Sequence, residues 1–552
     1  MNSKSRFSSS GHISCTVILL LIISIPVAAQ IQLAWERWLD YQVQDVPVKM
    51  TIDKGNNIYI AGSTDDGYDY DYLLVKYNTF GELQWIRTFN GPSNWDDGIA
   101  NMLLDDSSNI YLTGYMSTTF GTAFSTLKYD TNGNLLWEGA FSRTSLGFNW
   151  GSGNSILIDN EGISYITGFL ASNSAKKIYT LIYKPNGSLK NILFPSTTDI
   201  YNSEGIQLLI DDSNCLYVCC RKNEGDKHLI GIQKYDKNLT LIWDKNYSTN
   251  NPSLNFANGF IFDKKKGLIY ILSKNHLSAS NGFSISTIDT MGNLVWTKSY
   301  TSDESEFFPG SFSFDSENNL LTIGYMRSNF ESGYNVFILK ISSDGDILWE
   351  KKYEKEKCSL NRILHKIDKI DNIYITSSIY RSNISSPDIL ITKFDSTGNL
   401  LWEEIYDSPT EGSYSEPIDF SLTDKDELII TGFGSSKSEY WNPFEILTIK
   451  YIPSVSNIIQ NEAVPIEFGL SQNYPNPFNP ITTIKYSIPI TCNVLIKVFD
   501  LLGNEVKILV NEIKTPGNYS VNFNASSFAS GTFFYKIFAN NYSQTKKMIL
   551  IK

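Results

Sequence analysis

Between residues 50 and 451 the chain alternates short apolar runs with clusters of Asp, Asn, Gly and Ser. The run NNIYIAG (56–62) returns as SNIYLTG (108–114), GISYITG (162–168), NCLYVCC (214–220) and GLIYILS (267–273). It returns again as NLLTIG (319–324), DNIYITS (371–377) and ELIITG (427–432). A second run, YNTFGELQW (77–85), recurs as YDTNGNLLW (129–137), IDTMGNLVW (288–296), ISSDGDILW (341–349) and FDSTGNLLW (394–402). The tryptophans set the period: Trp85, Trp137, Trp243, Trp296, Trp349 and Trp402 are spaced 52, 106, 53, 53 and 53. The double interval has Asn191 where a tryptophan is missing, and Trp35 lies 50 before Trp85. Each copy holds four β-type runs, in the second copy 100–105, 109–115, 124–130 and 134–141. Such runs, separated by turn residues and free of helical periodicity, predict four antiparallel strands per repeat, the pattern of a propeller blade.

Eight copies of the second-strand motif predict an all-β, eight-bladed β-propeller over residues 30–451. The eighth copy lacks its tryptophan strand, and LAWERWLD (33–40) resembles it. The N-terminal run is therefore expected to complete the last blade and close the ring, which removes exposed sheet edges. A seven-bladed ring or an open solenoid is the competing geometry. The unit D-x-x-G-N-I-Y-I-T-G … K-Y-D-x-x-G-x-x-L-W resembles the bacterial SBBP-type propeller repeat. That resemblance implies fold and export, and no chemistry.

The periodicity stops at Tyr451. Residues 452–467 read as a linker, and 468–552 as a small Ig-like β-sandwich of about seven strands. This tail carries Asn473-Tyr474-Pro475-Asn476-Pro477-Phe478-Asn479-Pro480, then Asp500-Leu501-Leu502-Gly503-Asn504-Glu505-Val506. Gly517-Asn518-Tyr519, Ser530-Gly531 and Lys546-Lys547-Met548 follow. In that order they resemble the type A C-terminal sorting domain of the type IX secretion system. The resemblance implies that the secretion machinery is the partner of residues 468–552. It also implies removal of the tail by a surface protease, with release or attachment to surface lipopolysaccharide; the linker 452–467 is where that cut is expected.

The other end fits export. Lys4 and Arg6 precede the apolar stretch 16–27, and Val27-Ala28-Ala29 is a small-residue cleavage site, so 1–29 read as a signal peptide. The stretch is short against the ~20 residues of a spanning helix, so no transmembrane segment is expected after cleavage. Cys215, Cys219, Cys220, Cys358 and Cys492 then remain, an odd, scattered set that makes no disulfide framework. The formal charge of −12 argues against a nucleic-acid partner, whose phosphates need a basic face.

Most recurring polar residues read as scaffold. Asp53, Asp105, Asp159, Asp211, Asp263, Asp315 and Asp368 share one register and suit tight turns. Lys76, Lys128, Lys234, Lys340, Lys393 and Lys450 recur on the third strand as a solvated or paired face. The tryptophans are expected to pack between blades. Cys219-Cys220 suggests a quinoprotein only weakly, because it occupies an ordinary strand position. Histidine is too scarce for a zinc site or a catalytic triad. No catalytic residue, metal or cofactor is predicted.

The non-repeating residues are more informative. Connections leaving second and fourth strands share one face and include the longer loops: 62–72, 90–98, 142–152, 247–258, 301–310 and 433–444. Tyr68, Asp69, Tyr70, Asp71, Trp95, Asp96, Asp97, Trp150 and Trp441 concentrate aromatics and acids there, a composition suited to sugar rings and hydroxyls. The expected function is a secreted or surface-displayed, non-catalytic binding module for a glycan or a cell-surface protein. An enzyme acting on polysaccharide and a structural or adhesive surface protein are the alternatives.

Overall fold

A computed structural model describes residues 31–194, 202–224, 227–247, 256–276, 281–301, 305–327, 334–380, 387–408, 413–436, 444–454, 467–514 and 516–551. The signal segment and most of 452–467 lie outside them. The chain divides into two compact units, 1–454 and 455–552.

The first unit is an eight-bladed β-propeller. Blade 1 is formed by Gln44–Ile52, Ile58–Asp65, Tyr70–Tyr77 and Leu83–Phe89, hydrogen-bonded in sequence order. Blade 2 repeats this with Gly98–Leu104, Ile110–Thr118, Gly121–Tyr129 and Leu135–Phe141. Its middle strands run to a tight hairpin at 118–121, longer than the apolar runs alone suggest. Thr118 Oγ1 donates to Gly121 O across that corner and makes a loop unnecessary. Blades 3 to 5 follow in the same order, each a separate four-stranded sheet. Blades 6 and 7 share the strand Ile347–Ile367, which ends the one and begins the other, giving a seven-stranded sheet.

Blade 8 takes three strands from Tyr414–Leu422, Leu428–Ser435 and Glu445–Pro453, and its fourth from the start of the chain. Ile31–Leu39 pairs antiparallel with Glu445–Pro453, with Trp35 opposite Lys450 and Leu39 opposite Ile446. The ring then closes on blade 1. Asp419 accepts from Met50 N at 3.3 Å and from Lys49 Nζ at 2.8 Å, and Met50, Ile58 and Ile60 share a core cluster with Ile429 and Ile446.

The repeated polar residues hold turns. Asp53 Oδ1 accepts from Gly55 N and Asn57 N, and its Oδ2 from Asn57 Nδ2 and Tyr59 OH. Asp105, Asp159, Asp211, Asp315 and Asp368 each accept from the amides two and four residues on. In blade 8 the hydroxyl of Thr423 does the same. The third-strand lysines are paired. Lys340 lies 2.7 Å from Asp315 and Lys393 3.4 Å from Asp368, while Lys76 and Lys128 cover the rings of Tyr59 and Tyr111.

The tryptophans clasp one blade to the next. A Cβ on Gly81 would lie 2.7 Å from the Trp35 ring, one on Gly133 3.0 Å from Trp85 and one on Gly187 2.5 Å from Trp137. The glycine turns can therefore receive a flat ring only because they carry no side chain. Beside Trp35 and Trp85, Arg37 and Arg87 donate to the carbonyls of Gly81 and Gly133. Trp402 is different, because blade 8 joins its outer strands across the chain termini and has no such turn. It is buried with Ile31 and Tyr451.

The second unit is a β-sandwich of seven strands. One sheet holds Gly469–Leu470, Ile481–Ile488 and Gly517–Asn524, and the other Glu505–Lys514, Cys492–Phe499, Gly531–Ala539 and Tyr542–Leu550. Ile484, Val494, Ile496, Val498, Phe523, Tyr535 and Met548 form its core. Trp402→Ala, at 2% exposure, is expected to cost about 3–5 kcal/mol, and Trp85→Ala, half-buried, clearly less; urea midpoints measure both.

Candidate functional site

Two chain segments build the acid–aromatic corner of blades 1 and 2. The connection after Ile58–Asp65 is only residues 66–69, because Gly62–Asp65 and Tyr70–Tyr72 are strand, so 62–72 is not one long loop. Asp65 accepts from Gly67 N, and Asp66 from Tyr68 N and Asp69 N, which coils the chain tightly. The segment 90–97 then docks on it: Tyr70 N donates to Asp96 Oδ1 at 3.1 Å and Asp97 N to Tyr70 O at 2.6 Å. Tyr70 OH donates to Gln44 Oε1 at 2.8 Å.

The carboxylates differ in how fully they are satisfied. Asp97 is fully buried and accepts from Ser117 N and Gly91 N. Asp69 is buried, yet its Oδ2 has no hydrogen-bond partner, and neither has Asp71 Oδ1. Burial, reinforced by Asp66, Asp96 and Asp65, pushes the Asp69 carboxyl up. Burial together with Asp69, Asp97 and Asp66 pushes Asp71 up to about 6. Burial also raises Asp97 and Tyr70. The aromatic rings face solvent, with Tyr68 95% and Trp95 74% exposed.

Six of the nine predicted residues, Tyr68, Asp69, Tyr70, Asp71, Asp96 and Asp97, are thus joined by hydrogen bonds or charge, with Trp95 adjacent on the docked segment. Trp150 belongs to blade 3, where its loop bonds to Thr122 and Ala171. Trp441 lies outside the described residues. Asp65, Asp66 and Gln44 also belong to the corner; the Asp65-Asp66 pair was the signal in the sequence.

Elsewhere the chemistry is structural. Cys219 and Cys220 alternate to opposite faces of one strand and enter different core clusters. Among the described residues no group of three or more His, Cys, Asp or Glu is placed to hold a metal ion. His365 is partly buried between Ser311 Oγ at 2.6 Å and Ser313 Oγ at 2.7 Å. A cavity of about 610 Å³ opens on the short-turn side, between the first-strand ends of blades 1 to 3, lined by Asp53, Asp105, Asp106, Asp159 and Glu161. Another of about 580 Å³, floored by Phe283, Phe307 and Phe337, lies between blades 5 and 6.

Fold and sites together define a closed propeller carrying a separate β-sandwich. Residues 472–552 match the family of secretion system C-terminal sorting domains. The protein is exported by the type IX system to the cell surface or the extracellular space. No helix among the described residues is long and apolar enough to cross a membrane. No curated protein matches the chain. Solved structures similar to it include the polysaccharide lyase Uly1, 9% identical over 66% of this chain and 92% of that one, TM-score 0.40. An endo-arabinase from Bacteroides thetaiotaomicron is 15% identical over 44% of this chain and 91% of its own, TM-score 0.26. The WD40 domain of SCAP from fission yeast is 9% identical over 90% and 95%, TM-score 0.34. At these scores the likenesses carry no functional argument.

Two pH effects follow. Burial holds the His365 imidazole down at about 4, so the unfolded chain binds the extra proton between about 6.5 and 4. Stability is full above about pH 6.5 and falls by up to about 3 kcal/mol as pH drops through that window. His365→Gln is expected to flatten the fall in urea titrations run from pH 7 to pH 4. Asp71, raised in the fold, destabilises above about pH 6. Asp71→Asn is expected to raise Tm at pH 7.5, with the gain vanishing near pH 4.

Proposed function

We propose that the propeller is a non-catalytic carbohydrate-binding module, displayed or released after type IX export, with its site at the corner of blades 1 and 2. The observation that carries this reading is the pair of exposed rings, Tyr68 and Trp95, beside the exposed carboxylates Asp66 and Asp96. Flat rings take the C–H face of a sugar, and carboxylates accept from its hydroxyls. Hydrogen bonds between Tyr70 and Asp96 and Asp97 tie the two segments together, which lowers the cost of ordering the loops on binding. We assign the repeat to the SBBP type on the residues quoted above. We further place a signal peptide at 1–29 and cleavage of the sorting tail within 452–467.

A second reading, an enzyme acting on polysaccharide, has one observation in its favour. Asp71 is held near 6 beside other carboxylates, the separation of acidities that general acid catalysis uses.

Tyr68→Ala and Trp95→Ala are expected to weaken binding to a polysaccharide panel at least about tenfold each, without shifting Tm. Isothermal titration of the full chain reads this. Unchanged affinity, or no binding to any member of the panel, would sink the proposal. Release of reducing ends that disappears in Asp71→Asn would establish the enzyme instead.

A further inference from the structure

The propeller and the sorting domain use the same five-residue turn, and only one of the two leaves it bare. In blade 2, Asp130 N donates to Asn134 O at 2.9 Å and Gly133 N to Asp130 O at 3.0 Å. Asp130 Oδ1 accepts from Asn132 N and Asn134 N. In the sorting domain, Asp500 N donates to Asn504 O at 3.0 Å and Gly503 N to Asp500 O at 3.1 Å. Asp500 Oδ1 accepts from Leu502 N and Asn504 N. Asp500 Oδ2 takes Asn504 Nδ2, as Asp130 Oδ2 takes Asn134 Nδ2.

The surroundings differ. In the propeller every such glycine is covered by side chains of the preceding blade: Trp35 on Gly81, Trp85 on Gly133, Trp137 on Gly187, Lys245 on Gly292, Trp296 on Gly345 and Trp349 on Gly398. The turn carbonyls are taken too, Lys76 Nζ donating to Thr131 O and Lys234 Nζ to Thr290 O. Around Gly503 nothing lies within 4 Å of where a Cβ would be. The two residues before the glycine are Thr-Phe, Thr-Asn, Pro-Asn, Thr-Met, Ser-Asp and Ser-Thr in the propeller turns, never two aliphatics. In the sorting domain they are Leu501 and Leu502, 70% and 87% exposed. The sandwich has a filled core of its own, so the leucines do not serve its packing. Adjacent aliphatics are also exposed on the propeller's fourth strands, such as Leu294 and Val295 at 56% and 52%, but none among the described residues as far as this pair, so covering it gains the most apolar burial.

We propose that the turn Asp500–Asn504 is a docking tip for a protein component of the secretion machinery. That component places an apolar, aromatic-lined surface over Leu501, Leu502 and Gly503, as the tryptophans cover the propeller's glycine turns. The proposal rests on the reading of residues 472–552 as the export signal. The match of that segment to secretion sorting domains supplies the kind of partner. The covered propeller turns supply the chemistry.

The test is cell fractionation of the full chain in a bacterium with a type IX system. Leu501→Ser with Leu502→Ser keeps Asp500, Gly503 and Asn504, so the turn forms. The exported fraction is expected to fall about tenfold, the loss of an interface anchor, with accumulation in the periplasm and an unchanged Tm of the purified chain. Ile513→Ser, an exposed apolar residue on a strand of the same domain, is expected to be exported as the parent is. Export of the double variant at the parent level would overturn the proposal, as would an equal loss with Ile513→Ser. A chain ending at residue 454 separates the two readings. If it too is exported, the sorting reading fails; if it is retained while the double variant is exported, only the docking tip fails. Flotation with phosphatidylethanolamine vesicles that depends on the two leucines would make the occupant a lipid surface. A dimer on gel filtration lost in the double variant would make it a second copy. Either result overturns the protein partner.

Discussion

The structure depends on one long-range pairing: Ile31–Leu39 must find Glu445–Pro453, more than 400 residues away, before the ring is closed. Bringing such distant segments together is entropically unfavourable, though the cost rises only slowly with loop length. The pairing offsets it by joining two sheet edges and by making the tryptophan-on-glycine clasp that several other blade boundaries have. Trp35 lies on Gly81 and Arg37 bonds to its carbonyl, as Trp85 and Arg87 do one blade on. Lys450 reaches Thr79 across the same boundary. Closure thus reuses the repeat's own chemistry, contributed by the opposite end of the chain.

A second ring of contacts tightens the wall around the axis. Asn101 Nδ2 bonds to Asn154 O, Asn154 Nδ2 to Gly205 O, and Gln207 exchanges two bonds with the Phe260 backbone. Ser311 and Ser313 with His365, and Asp419 with Met50, continue the pattern. These groups sit at or beside the irregular first strands, where a bulge would otherwise leave backbone polar groups unpaired. A scaffold held at its inner strands and its outer turns leaves its loops free to vary, and the corner of blades 1 and 2 is such a variation. Its carboxylates depart from the repeat, and so do their environments.

The contrast between repeated and unique residues separates scaffold from candidate function. Asp53 and most of its counterparts satisfy turn amides, and the third-strand lysines neutralise those aspartates or cover the adjoining tyrosines; Asp263, in the blade with Thr287 in place of the lysine, is the exception and keeps a buried Oδ2 without a partner. Asp69 and Asp71 repeat nowhere, and each keeps an oxygen without a partner. The sorting domain shows the same economy: one turn type serves as internal packing in one unit and as an exposed tip in the other.

Periodicity alone determined the blade count, the closing strand and where the repeat ends, because each depends on spacing and on local turn chemistry. The structural roles of the aspartates and tryptophans were legible for the same reason: a residue recurring once per blade has one job, set by its register. Tertiary structure decided the rest. The stretch 62–72 became mostly strand because neighbouring strands extended the ladder, which no local run encodes. The loop of Trp150 was set against Thr122 and Ala171 and not against the corner, since composition says nothing about which loops meet. The burial that leaves one oxygen each of Asp69 and Asp71 without a partner, and the exposure of Leu501 and Leu502, are properties of surroundings. Packing around a residue is fixed by distant segments, and only the folded chain brings those segments together.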